Sequence, residues 1–247
     1  MPGVYDKLEA SLNEIRRSLA TPPKAILAIS GHWEARDFTV MSAAHPPMIY
    51  DYSGFPEHTY HIRYPAPGSP DVARLVQTLL QKAGLAAVLD ERRGFDHGVF
   101  APFAVVYPEA NVPILELSIR ADYDPQAHFA AGRALAPLRA EGILIVGSGL
   151  SYHNMRGFGP RGAAASKEFD EWLTDAVCRL NGQERRERLL HWETAPSARL
   201  AHPQEDHLIP LMVAVGAADQ EPGERIYHED AFMGGTSVSS YRFGRVS

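Results

Sequence analysis

The sequence predicts an α/β fold: a single domain with a mostly parallel central sheet flanked by helices on both faces. Three observations carry this reading. Short apolar runs alternate with amphipathic stretches along most of the chain. The run Ala25-Ile26-Leu27-Ala28-Ile29-Ser30 is almost wholly apolar, as a strand covered on both faces must be. No repeat, low-complexity tract or Gly/Ser/Pro-rich linker divides the 247 residues, a length that one α/β domain often fills.

The elements follow from local pattern. Leu8, Leu12, Ile15 and Leu19 recur at helical spacing among charges, so residues 6–20 read as a helix. After Pro22-Pro23, residues 25–30 and 38–42 read as strands. The stretch 45–70, rich in Pro, Gly and Tyr, reads as a long ordered loop, and loops of that length usually shape a site. Val72, Leu75, Val76, Leu79 and Leu80 form one stripe of a helix over 70–83. Strands over 85–89, 113–119 and 142–146 then alternate with a helix over 125–140. Helices over 166–180, 183–192 and 205–218 follow, and the tail reads as strands at 225–227 and 237–243.

With 45% hydrophobic and 22% charged residues the chain is neither disordered, collagen-like nor coiled-coil. A net charge of −6 argues against nucleic acid or an anionic membrane as partner. The start, Met1-Pro2-Gly3-Val4-Tyr5-Asp6, shows no signal peptide, and no run approaches the roughly 18 apolar residues of a membrane span. The cytoplasm is therefore the expected compartment. The 11 histidines against one cysteine decide the metal chemistry. An intramolecular disulfide and thiolate-rich zinc or iron–sulfur sites are excluded, so any metal site must use imidazole and carboxylate.

Ligands of open α/β sheets bind beyond the carboxyl ends of the strands. His32, His97 and His153 each follow a predicted strand there, and His207 falls in the first turn of the helix over 205–218. His58 and His61 read as surface or rim residues, His128, His191 and His228 as solvated, and Cys178 as a buried inert thiol.

The segments around these histidines carry a resemblance. Ile29-Ser30-Gly31-His32-Trp33-Glu34 is similar to the Ser-Ala-His-Trp segment of class III extradiol dioxygenases, in the 4,5-DOPA extradiol dioxygenase-like branch. His45-Pro46-Pro47-Met48-Ile49-Tyr50-Asp51-Tyr52-Ser53-Gly54-Phe55-Pro56, continuing through Ile62-Arg63-Tyr64-Pro65-Ala66-Pro67-Gly68, resembles that branch's most distinctive stretch. Arg93-Gly94-Phe95-Asp96-His97-Gly98, Val146-Gly147-Ser148-Gly149 with His153-Asn154, and His202-Pro203-Gln204-Glu205-Asp206-His207-Leu208-Ile209-Pro210-Leu211 follow in family order. Ser237-Val238-Ser239-Ser240-Tyr241-Arg242-Phe243 closes the match, which spans essentially the whole chain.

The resemblance implies cleavage of a catecholic, DOPA-like ring beside its diol by O₂ on a non-haem Fe(II), with Zn(II) a stand-in in purified protein. It makes His32 a metal ligand and His207 the occupant of the third-ligand place. His153 becomes the base that deprotonates the catechol, or a replacement ligand, and His97 a second acid–base or substrate-orienting group. His45, Tyr50, His202 and Tyr241 are the substrate-binding candidates, with the 45–70 loop forming the pocket. The implied partners are a small catechol and O₂, with homo-oligomerisation left open.

One departure matters. The family carries its first metal ligand in a Ser-His-Gly-Ser/Ala-Pro segment ending the first strand, whereas this chain opens at Met1-Pro2 near the end of that segment. The chain thus reads as truncated at the N terminus, with weakened Fe(II) binding and an exposed sheet edge as consequences. Two other readings follow: a catalytically impaired, metal-deficient binding protein on the same fold, and a zinc-dependent hydrolase. A Ser148 nucleophile is disfavoured, because the Gly-x-Ser-x-Gly elbow is absent.

Overall fold

In the computed structural model, which describes residues 3–244, the apolar run at 25–30 lies inside a five-stranded sheet. In chain order the elements are α1 (Asp6–Ser18), β1 (Ala25–Ala35), β2 (Phe38–Met41), α2 (Pro70–Lys82), β3 (Ala87–Asp90), α3 (His97–Val106), β4 (Ile114–Arg120) and α4 (Pro125–Leu135). They continue with β5 (Ile143–Ser148), α5 (Ala163–Cys178), α6 (Gly182–Leu190), α7 (Ala198–Ala201), α8 (Ile209–Ala217), β6 (Gly223–Phe232) and β7 (Thr236–Phe243). Met1 and Pro2, at which the truncation is read, lie outside the described residues.

The sheet order is β3-β2-β4-β1-β5. β1 runs parallel to β4 and β5, and β2 parallel to β3, while β2 meets β4 antiparallel at Val40 and Leu117. The molecule is thus a mixed α/β domain with a mostly parallel sheet, as the alternating pattern predicts. β6 and β7 form a separate antiparallel hairpin against α5.

β1 explains the two layers of helices. Ala25, Leu27 and Ile29 enter a core with α2, α4, α5 and α8, whereas Ile26 and Ala28 enter a second core with α3. Each large aliphatic side chain buried there contributes about 1.5–3 kcal/mol. Leu12 and Ile15 of α1 rest against the second core half-buried. β5 lies at the sheet edge, with Leu144, Ile145 and Val146 also half-buried. No helix among the described residues is long and apolar enough to cross a membrane.

Several local expectations change. α3 occupies a segment without helical periodicity, because almost every residue in it is apolar and Pro102 interrupts it. α8 starts at Ile209, and residues 205–208 form turns that lead into it. His128, expected in solvent, is fully buried, its ring edge-on to Phe38 of β2 and its Nε2 accepting from the Arg120 N–H at the end of β4. His58 and His61, by contrast, are exposed as expected, on a 3₁₀ turn, Glu57–His61, inside the long loop.

Candidate active site

The register of β1 against β4 slips between the pairs Ser30–Ser118 and Glu34–Ile119. Gly31, His32 and Trp33 therefore bulge out of the ladder, a device that re-aims side chains at a strand end. The His32 backbone N–H donates to Ser30 Oγ at 3.2 Å, and the Ser30 hydroxyl donates to the buried Asp96 carboxylate at 2.9 Å. A Cβ on Gly31 would sit 2.8 Å from the Asp206 carbonyl oxygen, and one on Gly149 only 2.2 Å from that of His207. The two glycines let the turn before α8 close onto the ends of β1 and β5, which brings His207 beside His32.

His97 is the first residue of α3, and His153 lies after β5 with its backbone N–H donating to the Ala201 carbonyl at 3.0 Å. The four rings form a row. His97 and His32 have centroids 3.9 Å apart, His32 and His207 are edge-on at 4.7 Å, and His207 stacks on His153 at 3.4 Å. Four separate chain segments thus bring their imidazoles to one place.

Two carboxylates complete the row, and neither stands out in the sequence. Asp51 Oδ1 accepts from His97 Nδ1 at 2.8 Å and from the His97 backbone N–H at 3.1 Å, while its Oδ2 lies 3.8 Å from His32 Nδ1. Asp206 Oδ2 lies 3.8 Å from His153 Nδ1. His32, Asp51 and His97 form one set of candidate metal donors, and His153, Asp206 and His207 another, the donor atoms of each set within 4.8 Å of one another. The only signals were positional: Asp51 sits between two tyrosines of the site-shaping loop, and Asp206 immediately precedes His207.

Burial, then the His97 imidazole, holds His32 below the ordinary histidine range. Burial, then His153 and His32, pushes His207 far down. Partial burial raises Asp51, but the hydrogen bonds from His97 outweigh it and hold the carboxyl low. Burial likewise opposes, and His153 and His207 outweigh, in holding Asp206 low. At neutral pH His32 and His207 are therefore unprotonated and both carboxylates are charged, the state that a cation requires of its ligands. Leu150 N–H donates to His207 Nδ1 at 3.0 Å, which leaves the proton of the neutral ring on Nε2, and both that N–H and Asp206 Oδ1 are buried with no hydrogen-bond partner. Buried polar atoms are rarely left so, and a divalent metal fits this imidazole and carboxylate set.

The remaining candidates fall at different distances from the row. Tyr50 donates its hydroxyl to the Ile62 carbonyl at 2.7 Å and belongs to an aromatic cluster with Tyr52, Tyr60 and Phe100. Tyr52, not singled out from the sequence, stands edge-on to His97 at 5.5 Å. The loop is held there by backbone bonds between Pro47, Ile49 and Phe95. His45 is exposed at the loop's start, outside the contacts that join the four rings. His202 is fully buried behind the site, its Nε2–H donating to the Ser151 carbonyl at 3.0 Å and its ring against Phe169. Tyr241 pairs with Thr174 at 2.9 Å across β7 and α5. The Ser148 hydroxyl donates to the Gly98 carbonyl, which has no α-helical N–H partner because Pro102 supplies none. Among the described residues no base accepts from that hydroxyl.

Comparison with known proteins bears on what this site does. The family described as the catalytic LigB subunit of aromatic ring-opening dioxygenase matches residues 3–244. The chain is 41% identical over 226 residues to "4,5-DOPA dioxygenase extradiol" of Beta vulgaris, covering 90% of this chain and 83% of the relative. It is 40% identical over 239 residues to "Dioxygenase tasH" of Hapsidospora irregularis, with 90% and 72% covered. A crystal structure of an uncharacterized protein from Escherichia coli K12 superposes with a TM-score of 0.80 at 31% identity, over 96% of this chain and 92% of that one. With a family match over nearly the whole chain and relatives at this identity, the chain belongs to the family of the catalytic LigB subunit and is an aromatic ring-opening dioxygenase of the extradiol type.

Proposed function

We propose that the chain opens a catecholic, DOPA-like ring beside its diol, using O₂. The observation that carries this reading is the convergence of four imidazoles from four segments, beside two carboxylates, with two polar atoms of the cluster buried and unpartnered. The imidazoles of His32, His153 and His207 would hold a ferrous ion, with Asp206 orienting His153 from behind as ligating histidines usually require. Bound there, the ion supplies the Lewis-acid and redox chemistry that ring cleavage by O₂ needs.

The protein's own groups bind the catechol and move its proton. His97 takes a hydroxyl proton at the nitrogen that Asp51 leaves free, and an imidazole suits that task at neutral pH. The Tyr50, Tyr52, Tyr60 and Phe100 cluster offers the apolar edges and faces that aromatic rings prefer. Similarity to 4,5-DOPA dioxygenase extradiol of Beta vulgaris favours a DOPA-like catechol over other diols.

An oxygen electrode tests the proposal on protein loaded anaerobically with Fe(II) and given L-DOPA, catechol and caffeate in turn. The expected result is one O₂ consumed per ring opened. His97→Gln should retain the iron but lose most turnover, and His32→Ala should lose the iron. No uptake with any diol, or equal uptake without iron, would overturn the reading.

A further inference from the structure

We infer that Asp51 is the positioning residue of the acid–base histidine: it keeps the proton of neutral His97 on Nδ1 and turns the Nε2 lone pair toward the substrate. The inference rests on the proposed role of His97 and adds to it a residue on the 45–70 loop.

The geometry leaves His97 one arrangement. Its Nδ1 lies 2.8 Å from Asp51 Oδ1, and its backbone N–H donates to that same oxygen at 3.1 Å. A carboxylate only accepts, so the 2.8 Å contact requires a proton on Nδ1. The neutral ring then has its lone pair on Nε2, the form a base needs. Asp51 is tied down in turn. Ile49 N–H donates to the Phe95 carbonyl and Phe95 N–H to that of Pro47, both at 2.8–2.9 Å, and Tyr52 stands edge-on to His97. The other oxygen, Oδ2, lies 3.8 Å from His32 Nδ1. One carboxylate thus spans the base and a proposed metal-holding imidazole, and sets the base relative to the metal site.

The tautomer can be read without metal, substrate or turnover. Long-range proton–nitrogen correlation on ¹⁵N-histidine-labelled metal-free protein, at about pH 8 where an ordinary imidazole is neutral, reports which nitrogen of His97 carries the proton. Wild type should show Nδ1–H. Asp51→Ala should move His97 to the Nε2–H form. Asp51→Asn should keep Nδ1–H, because two donors converge on Oδ1 and orient the amide oxygen toward them. In iron-loaded protein, Asp51→Ala should lower kcat about 10–100-fold, a size common for outer groups of such sites, with KM within about 3-fold of wild type. Asp51→Asn should recover most of that loss. An Nε2–H His97 in wild type, a tautomer unmoved in Asp51→Ala, or an unchanged kcat would overturn the inference. If Asp51→Ala does not fold, the wild-type spectrum and Asp51→Asn still decide it. If no variant consumes any catechol, the extradiol proposal fails, while the spectrum still judges Asp51.

Discussion

His128 shows how much one buried ring can demand of its surroundings. It is fully buried on α4, with Nδ1–H donating to the Asp124 carbonyl at 2.7 Å and Nε2 accepting from the Arg120 N–H at 3.0 Å. Only the neutral ring can do both, since imidazolium has no lone pair for Arg120. Burial accordingly pushes its pKa down to about 4, against the hydrogen bond to the Asp124 carbonyl. Between that value and the ~6.5 of an unfolded chain, the unfolded state holds more protons. The contribution of His128 to stability is therefore complete above pH ~6.5 and is lost as pH falls toward 4, at most about 3 kcal/mol. Urea unfolding from pH 7 to 4.5 should show this decline. His128→Gln should be less stable at pH 7 and decline less steeply, and equal slopes would refute the assignment. In the sequence this histidine reads as solvated, because residue type does not show which side chains of α4 are buried.

At the level of elements, a buried ion network locks the end of β1 to α3 and β4. Arg93 donates to Asp96 at 2.6 Å and to Glu116 at 3.0 Å, and its guanidinium lies over the Trp33 ring at 4.6 Å. Asp96 also receives the Ser30 hydroxyl, which supports the His32 backbone N–H. Burial, reinforced by Asp96, raises Glu116 well above the carboxylate range, so the cluster balances one guanidinium with one carboxylate and a neutral acid. This charge count separates two substitutions. Asp96→Ala leaves Arg93 buried with no anion and should cost about 3–5 kcal/mol. Glu116→Gln replaces a neutral acid with a neutral amide and should cost about 1 kcal/mol or less. Chemical denaturation measures both, and equal losses would mean that Glu116 is charged. The same elements show what periodicity reveals. β1 was legible because burial on both faces demands an unbroken apolar run. α3 was not, because a helix apolar on every side and interrupted by Pro102 has no stripe.

Across the whole molecule, the site joins parts of the chain that the fold alone brings together: the bulge of β1, the start of α3, the loop after β5 and the turn before α8. Three of the four histidines were legible because a strand ending before a histidine implies a sheet-end position. Asp51 and Asp206 were not, because their partners are fixed only by tertiary contact. Such a site couples metal binding to folding. An ion that binds the native chain and not the unfolded one stabilises it by about 2.7 kcal/mol at 100 times its Kd. At roughly 2–4 °C per kcal/mol for a chain of this size, saturating Fe(II) or Zn(II) should raise Tm by roughly 5–10 °C, and a chelator should reverse the rise. The 11 histidines of the unfolded chain also bind metal weakly, which reduces the shift without changing its sign. His32→Ala and His207→Ala should abolish the rise, while His191→Ala, at an exposed position, should keep it. A scan in which all three variants respond like wild type would mean that the metal binds somewhere other than this row of rings.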